Sequence, residues 1–203
     1  MNDTTKKSSP MGSTLNHLVS ALLVTILSVA LLGFGYPYAI YWIGQAAFPK
    51  QANGSLIVVD GKLIGSDVLG QLFSKPRYFH PRPSAAGKNG YDPTSTGATN
   101  LAPTSKKLYD TTKATVAALQ KENPDATGPI PAELVTSSAS GTDPDISPEG
   151  AYYQIPRIAK ARNVAQTVLR AIVDAHVHSR SFGFLGEPHV NVLELNRALD
   201  SAK

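Results

Sequence analysis

Apolar positions run almost unbroken through the first part of the chain and become periodic only after it. From residue 8 to residue 49 there is no Asp, Glu, Lys or Arg. Residues 18–36 are nearly all apolar, enough at ~1.5 Å per residue to cross a hydrocarbon core of ~30 Å. Eleven of those nineteen positions are Leu, Ile, Val or Phe, so insertion is favoured by several kcal/mol after the smaller cost of Ser20, Thr25 and Ser28. Tyr36, Tyr38, Tyr41 and Trp42 follow, as an aromatic belt at a membrane–water boundary does. The pattern predicts a tail over 1–17, a transmembrane helix with its aromatic belt over 18–42, and a soluble domain over 50–203. A cleaved signal is the rival reading, but its apolar core is shorter (~7–15 residues) and its small-residue site directly follows. Here Gln45-Ala46-Ala47 lies beyond the aromatic belt.

Beyond residue 50 the periods change. Leu56-Ile57-Val58-Val59 and Leu63-Ile64 flank Asp60-Gly61, a strong two-residue hairpin signal. Residues 67–73 predict a short helix. Residues 75–103 are rich in proline and glycine and read as an ordered coil. Leu108, Thr112, Val116 and Leu119 are spaced for a helix over 105–121, which Asn123-Pro124 stops. A second Gly/Pro/Ser-rich stretch covers 128–148, with a short strand expected at 134–136. Ser147-Pro148-Glu149 opens a helix, with a kink or restart expected at Pro156 and a stop at Arg162-Asn163. Residues 164–178 predict an amphipathic helix facing inward through Val164, Val168, Ile172 and Ala175. Residues 190–195 alternate like a strand. The sum is an α+β domain with two long structured loops.

Charge and composition narrow the chemistry. The body from Lys50 onward carries a net charge of +3, and its longest basic run is Lys106-Lys107, far from the dense cationic surface of a nucleic-acid binder. No cysteine is present, which excludes disulfides, thiolate metal sites and cysteine nucleophiles. Residues 54–62 come nearest to a phosphate-binding P-loop, but the spacing is too long and Leu63 follows Lys62. There is no Asp-Lys-Thr-Gly segment to carry a phosphorylated aspartate. His176 and His178 are two apart on a predicted helix, so they face apart and share no metal. Asp143, Asp145 and Glu149 have the look of a carboxylate pair or calcium loop, and equally of turn-forming and helix-opening residues.

Three segments remain as site candidates. In 136–141, Ser137, Ser138, Ser140 and Gly141 offer hydroxyls and amides that could wrap a phosphate of a nucleotide, or form a solvated loop. In 77–83, Arg77 and Arg82 bracket Tyr78 and Phe79 on a stiff backbone, either a partner-docking edge or an ordered loop. In the membrane helix, Ala21, Thr25, Ser28 and Gly35 fall on one face by α-helical spacing, a small-residue stripe suited to close helix packing. The alternative there is that the hydroxyls bond back to their own helix.

Several segments together resemble the C subunit of the Kdp-type potassium-transporting ATPase. They are Phe48-Pro49 with Ala52-Asn53-Gly54-Ser55-Leu56, then Arg77-Tyr78-Phe79-His80-Pro81-Arg82-Pro83-Ser84-Ala85, Tyr91-Asp92, Asn100-Leu101 with Pro103, and Val135-Thr136. Asp143-Pro144 with Ile146-Ser147-Pro148, Gln154, Arg157, Ala161-Arg162, and Gly183-Phe184-Leu185-Gly186-Glu187-Pro188 running into 190–196 complete the series. The chain departs from the family pattern at Thr96-Gly97-Ala98-Thr99-Asn100, at Asn163 in place of glycine, and at Asp145 in place of a histidine, which changes local charge.

The resemblance implies a non-catalytic accessory subunit of a potassium pump in a bacterial inner membrane. Its implied partners are a channel-like potassium-binding subunit, a P-type ATPase catalytic subunit and the lipid bilayer. It implies no firmly bound cofactor and no metal, with ATP entering through the catalytic subunit, whose ATP affinity the C subunit raises as a catalytic chaperone. Lys6 and Lys7 before the helix balance Lys50 and Lys62 after it, so charge does not orient the chain. The resemblance implies a cytoplasmic N-terminus and a body outside. An external body acts on ATP affinity only through the membrane helices, whereas an internal one makes 137–141 the natural phosphate loop. A membrane-anchored envelope protein that binds a small ligand or polymer, unrelated to transport, is the alternative.

Overall fold

Helix and coil alternate with two small antiparallel sheets in the computed structural model, which describes residues 10–202. The first nine residues of the expected tail lie outside the described residues. The chain divides into two units, one ending at Ser55 and one starting at Leu56.

The first unit is α1 (Pro10–Ser28), a π-helical segment (Val29–Gly35), α2 (Tyr36–Ala47) and a single turn, α3 (Pro49–Ala52). Among the described residues one helix, Thr14–Ala47, is long and apolar enough to cross a membrane. Its 34 residues would extend ~51 Å as α-helix, beyond the hydrocarbon core and through the interfacial layers. Its large apolar side chains, Leu22, Leu27 and Leu32 among them, point outward and are exposed, as side chains that face lipid do.

The π segment has a local cause. Pro37 has no N–H to give the Gly33 carbonyl, and its ring crowds that carbonyl. The helix widens before it, and the Tyr36 amide donates to Leu31 O in an i→i−5 bond. A π turn takes more residues than an α turn, so Gly35 is rotated off the face that Ala21, Thr25 and Ser28 share. The four-residue stripe expected from α-helical spacing is thus shortened to three. Thr25 Oγ1 donates to Ala21 O at 2.8 Å, so that hydroxyl bonds back to its own helix.

The second unit opens with the expected hairpin, β1 (Leu56–Val59) and β2 (Lys62–Ser66), paired through Val59 and Lys62. Asp60 and Gly61 both have positive φ (50° and 74°), the backbone of a tight primed turn. No helix forms over 67–73. The Gly70 amide donates instead to Thr142 O at 2.8 Å, and a Cβ there would come within 2.3 Å of Asp143 O. The strand expected at 134–136 is replaced by a 3₁₀ turn, Ala132–Leu134. Its Glu133 carboxylate accepts both the amide and the hydroxyl of Ser147, at 2.8 and 2.7 Å.

The rest of the unit is built from the helices α4 (Lys106–Glu122), α5 (Pro148–Arg162), α6 (Gln166–Ala175) and α7 (Val192–Ser201) and the strands β3 (Asp145–Ile146), β4 (Val177–His178) and β5 (His189–Asn191), with α5 and α7 packed on β5. The three strands are antiparallel in the order β3-β5-β4. Ser147 caps α5 by accepting the Gly150 amide at 3.0 Å. Asn163 ends α5 in the left-handed conformation, φ 55° and ψ 46°. Between them α5 continues through Pro156. Burial of Ala151, Ile155 and Ile158 offsets the ~3 kcal/mol an internal proline costs.

Two expectations shift. α6 turns Leu169 and Val173 into the core and leaves Val168 48% exposed, one residue round from the face expected. The strand expected at 190–195 stops at Asn191, whose side chain accepts the amides of Leu193 and Glu194 and so starts a helix. Phe79, Ile146, Ile158, Leu169, Val190 and Leu195 lie in one core.

Candidate functional site

The segment around 76–82 has no strand partner, yet its main-chain carbonyls are satisfied one after another by side chains from α5 and α7. Arg157 Nη1 donates to Pro76 O at 2.6 Å and to Tyr78 O at 3.0 Å. Arg162 Nε donates to Arg77 O at 2.8 Å. Asn196 accepts the Phe79 amide at 2.8 Å and donates to its carbonyl at 2.9 Å. Gln154 does the same for His80, at 2.8 and 3.0 Å. Five successive carbonyls are thus met by four side chains, which supply the pairing a neighbouring strand would give.

Arg157 is the hub. Its side chain is 5% exposed, and it also donates from Nε to Asn123 Oδ1 (3.0 Å) and from Nη2 to Gln154 Oε1 (2.7 Å). Burial lowers its pKa, and the Glu122 charge beside it opposes that. The Glu122 carboxyl lies below its usual value because His80 hydrogen-bonds to it at 2.9 Å, against burial, with the charges of His80 and Arg157 adding to the effect. At the outer end, Tyr78 OH donates to Asp200 Oδ2 at 2.9 Å, and the Arg77 and Arg162 guanidiniums lie 5.5 and 5.1 Å from the Tyr78 ring centre. Burial pushes the Asp200 carboxyl up, but hydrogen bonds from Arg162 and Tyr78 and the charges of Arg162 and Arg77 outweigh it and hold it low.

The docking candidates therefore separate. Arg77 is exposed and Tyr78 half-buried. Phe79 is 0% exposed in the core and cannot meet a partner, whereas Tyr78 closes a turn by donating its amide to Lys75 O at 3.0 Å and stays at the surface beside Asp200. Arg82 turns to Asp143, donating from Nη1 to Oδ2 at 3.1 Å. A cleft of about 550 Å³ opens beside the segment, lined by Phe73, His80, Arg82, Tyr91, Leu119 and Glu122 among others.

In the serine loop the Ser138, Ser140 and Thr142 amides bond within the fold. Ser138 N donates to Pro83 O at 2.8 Å. Ser140 N donates to Ser138 Oγ at 3.2 Å and Thr142 N to Ser140 Oγ at 3.1 Å. Gly141 is buried with φ 68°, and a Cβ there would come within 2.7 Å of Ala86 Cβ and Asp92 O. Ser137 is exposed. These four residues stay close together, with the Ser138 and Ser140 amides engaged inside the fold.

Asp143, Asp145 and Glu149 line one cleft of about 590 Å³ together with Arg82, Arg180 and His189. Asp143 Oδ1 accepts the Asp145 amide at 3.3 Å. Burial raises the Asp145 carboxyl, the nearby His189 opposing it. Among the described residues no group of three or more His, Asp or Glu could hold a metal ion.

Spacing alone did not mark Gln154, Arg157, Arg162, Asn196 and Asp200 as site residues. The available signal was polar side chains at core-facing helical positions: Gln154 and Arg157 flank Ile155 and Ile158, and Asn196 follows Leu195, all buried.

A family model described as K+-transporting ATPase, c chain, matches residues 18–201. Among similar proteins, the potassium-transporting ATPase KdpC subunit of Acidobacterium capsulatum is 52% identical over 92% of this chain and 98% of its own length. The KdpC subunit of Caulobacter vibrioides is 51% identical over 92% of this chain and 94% of its own. That of Sorangium cellulosum is 47% identical over 93% and 100%. The family match takes in the apolar helix and the body together, and the chain belongs to the family of C chains of potassium-transporting ATPases.

Proposed function

We propose that this chain is a non-catalytic, single-pass subunit that holds a channel-like potassium subunit and a P-type ATPase subunit in one inner-membrane complex. The observation that carries this reading is the match over residues 18–201, which takes in the apolar helix and the clasped body as one unit. The geometry of 76–82 supports a role by rigid contact: four helix side chains fix the backbone while Arg77 remains outward. In the helix, Ala21, Thr25 and Ser28 form the face that packs on a partner helix.

The chain raises the ATP affinity of the catalytic subunit through contacts rather than by holding nucleotide itself. The internal hydrogen bonds of the Ser138 and Ser140 amides favour this. The N-terminus is cytoplasmic and the body extracytoplasmic, so the effect travels through the membrane helices. The test is deletion in cells that depend on this pump, read as growth at limiting external potassium and as the KM for ATP of the purified complex. Loss of growth with a raised KM is expected. Unchanged growth would reject the reading and favour an envelope protein unrelated to transport.

A further inference from the structure

A cleft of about 740 Å³ opens between the 127–131 loop, the first half of α5 and the start of α6. Small-molecule sites span ~300–1,000 Å³ and set a few placed polar groups among apolar walls. Pro129, Pro131, Ile155 and Pro156 supply apolar wall here, and Tyr152 and Tyr153 an aromatic part. Glu149, Tyr152, Tyr153 and Pro156 share one face of α5 by their spacing, and Arg170 joins them from α6.

Three polar groups on this cleft are left over by the fold. Tyr153 is 7% exposed, yet its hydroxyl has no hydrogen-bond partner among the described residues and opens to the cleft rather than being sealed in the core. Burial raises its pKa, so the hydroxyl stays neutral and can both donate and accept. The Arg170 guanidinium lies 4.3 Å from the Tyr152 ring centre, and that ring is fixed in turn by its hydroxyl, which donates to Asp174 Oδ1. Arg170 is therefore pre-positioned, but among the described residues no carboxylate lies within ion-pair distance of it. Glu149 likewise has no cation as partner among them. The Tyr152 hydroxyl is pushed up by its bond to Asp174, by burial and by the Asp174 charge; Arg170 opposes this and Glu149 adds to it. Two opposite charges thus reach one ring without being paired to each other.

We propose that this cleft binds a zwitterionic amino acid with an apolar side chain. Arg170 receives its carboxylate, Glu149 its ammonium, and the proline and tyrosine walls its side chain. The Tyr153 hydroxyl, one helical turn along from Glu149, accepts a further bond from the ammonium. The two charges select this class. An apolar acid would bring its carboxylate up to Glu149 with nothing to offset it, and an apolar amine would do the same at Arg170. A zwitterion replaces each of those like-charge contacts with an attraction.

The experiment titrates the full chain, held in lipid nanodiscs, by calorimetry with L-phenylalanine and L-leucine, and with two analogues of the first that each lack one charge: 3-phenylpropionate and phenethylamine. At least one of the two amino acids is expected to bind saturably, and phenylalanine at least roughly tenfold more tightly than either analogue. Arg170→Met should abolish the preference over phenethylamine, and Glu149→Gln the preference over 3-phenylpropionate. Tyr153→Phe keeps the ring and should weaken binding several-fold, the size of one lost hydrogen bond. Melting temperatures of the three variants, measured alongside, separate a lost site from a lost fold. No saturable binding of either amino acid at millimolar concentrations, equal affinity for phenylalanine and both analogues, or unchanged preferences in the folded Arg170 and Glu149 variants would overturn the proposal. The test needs no other subunit, so its failure leaves the subunit reading intact.

Discussion

Asn196 meets both main-chain groups of Phe79, accepting its N–H at 2.8 Å and donating to its C=O at 2.9 Å. Both residues are buried, 2% and 0% exposed, so nothing from solvent can replace these bonds. Asn196→Leu fills similar space but strands two buried backbone groups, at about 1–3 kcal/mol each. A loss of about 3 kcal/mol is expected in urea unfolding of the full chain. Asn196→Asp keeps the acceptor but sets a carboxylate against the Phe79 carbonyl, so it should do no better than Leu. A loss below 1 kcal/mol for both would mean that the clasp is not what holds this segment.

Arg157 tests the same clasp from α5. Lysine keeps the charge but has one compact donor group, where the guanidinium reaches Pro76, Tyr78, Asn123 and Gln154 at once. Arg157→Lys is expected to cost about 2–3 kcal/mol, and Arg157→Met about 3 kcal/mol or more, since Met also leaves Glu122 without its buried partner. Urea midpoints at constant slope check this. Lysine performing as well as arginine would show that charge alone is needed.

Two carboxylates predict opposite responses to pH. Glu122 is held low by its hydrogen bond from His80 and by the charges of His80 and Arg157, against burial. Its stabilisation is complete above the ordinary glutamate value and is lost as pH falls through the lower folded value. Asp145 is held high by burial. Its charged form is therefore a penalty, complete above the folded value and absent below the ordinary aspartate value. Glu122→Gln should lower the melting temperature at pH 7 and lose less stability on acidification than the wild type. Asp145→Asn should raise the melting temperature at pH 7, with the gain vanishing in acid. Melting curves from pH 3 to pH 8 decide both signs.

Local signals in the sequence identified the elements whose causes are local. Asp60-Gly61 closes its hairpin, Ser147 caps α5, and Asn163 ends it in the left-handed region. The failures have longer-range causes. Alternation over 190–195 reads as a strand until the Asn191 side chain captures two amides and bends the chain into α7. Val168 and Leu169 are equally apolar, and only packing on the core decides that Leu169 is inward. The clasp was the least legible, because Asn196 and Phe79 are 117 positions apart and nothing in either neighbourhood announces the other. The family-like segments gave those residues together without their roles, and of the two readings of 77–83 the docking edge placed a core phenylalanine on the surface.

The serine loop carries a prediction that separates folding from nucleotide binding. Ser138 Oγ and Ser140 Oγ each accept a loop amide, so replacing both with alanine removes two hydrogen bonds worth about 1 kcal/mol apiece. Ser138→Ala with Ser140→Ala is expected to lower stability by about 1–2 kcal/mol and leave the KM for ATP of the complex unchanged. A raised KM in a double variant of wild-type stability would make the loop a nucleotide site.

The membrane helix gives the last prediction, because its π segment changes which residues share a face. Thr25 Oγ1 is already bonded to Ala21 O, so Thr25→Val, which keeps the shape and removes the hydroxyl, should leave assembly unchanged. Ser28→Leu puts a large side chain where a partner backbone would approach, and co-purification of the pump subunits should fall several-fold. Gly35→Leu lies at the end of the π segment, on a face rotated from Ser28. Its effect on assembly should combine additively with that of Ser28→Leu, since the two sites share no contact. Val29→Leu is the control on an apolar face. The widening itself depends on Pro37, which offers no N–H to Gly33 O. Pro37→Ala restores that donor and lets the helix close to α geometry, which returns Gly35 to the face of Ala21 and Ser28. In that background Ser28→Leu and Gly35→Leu should become coupled and depart from additivity. Co-purification measured for the four combinations, with and without Pro37→Ala, checks this. Coupling already present with Pro37 intact would mean that the two residues share a face despite the π segment.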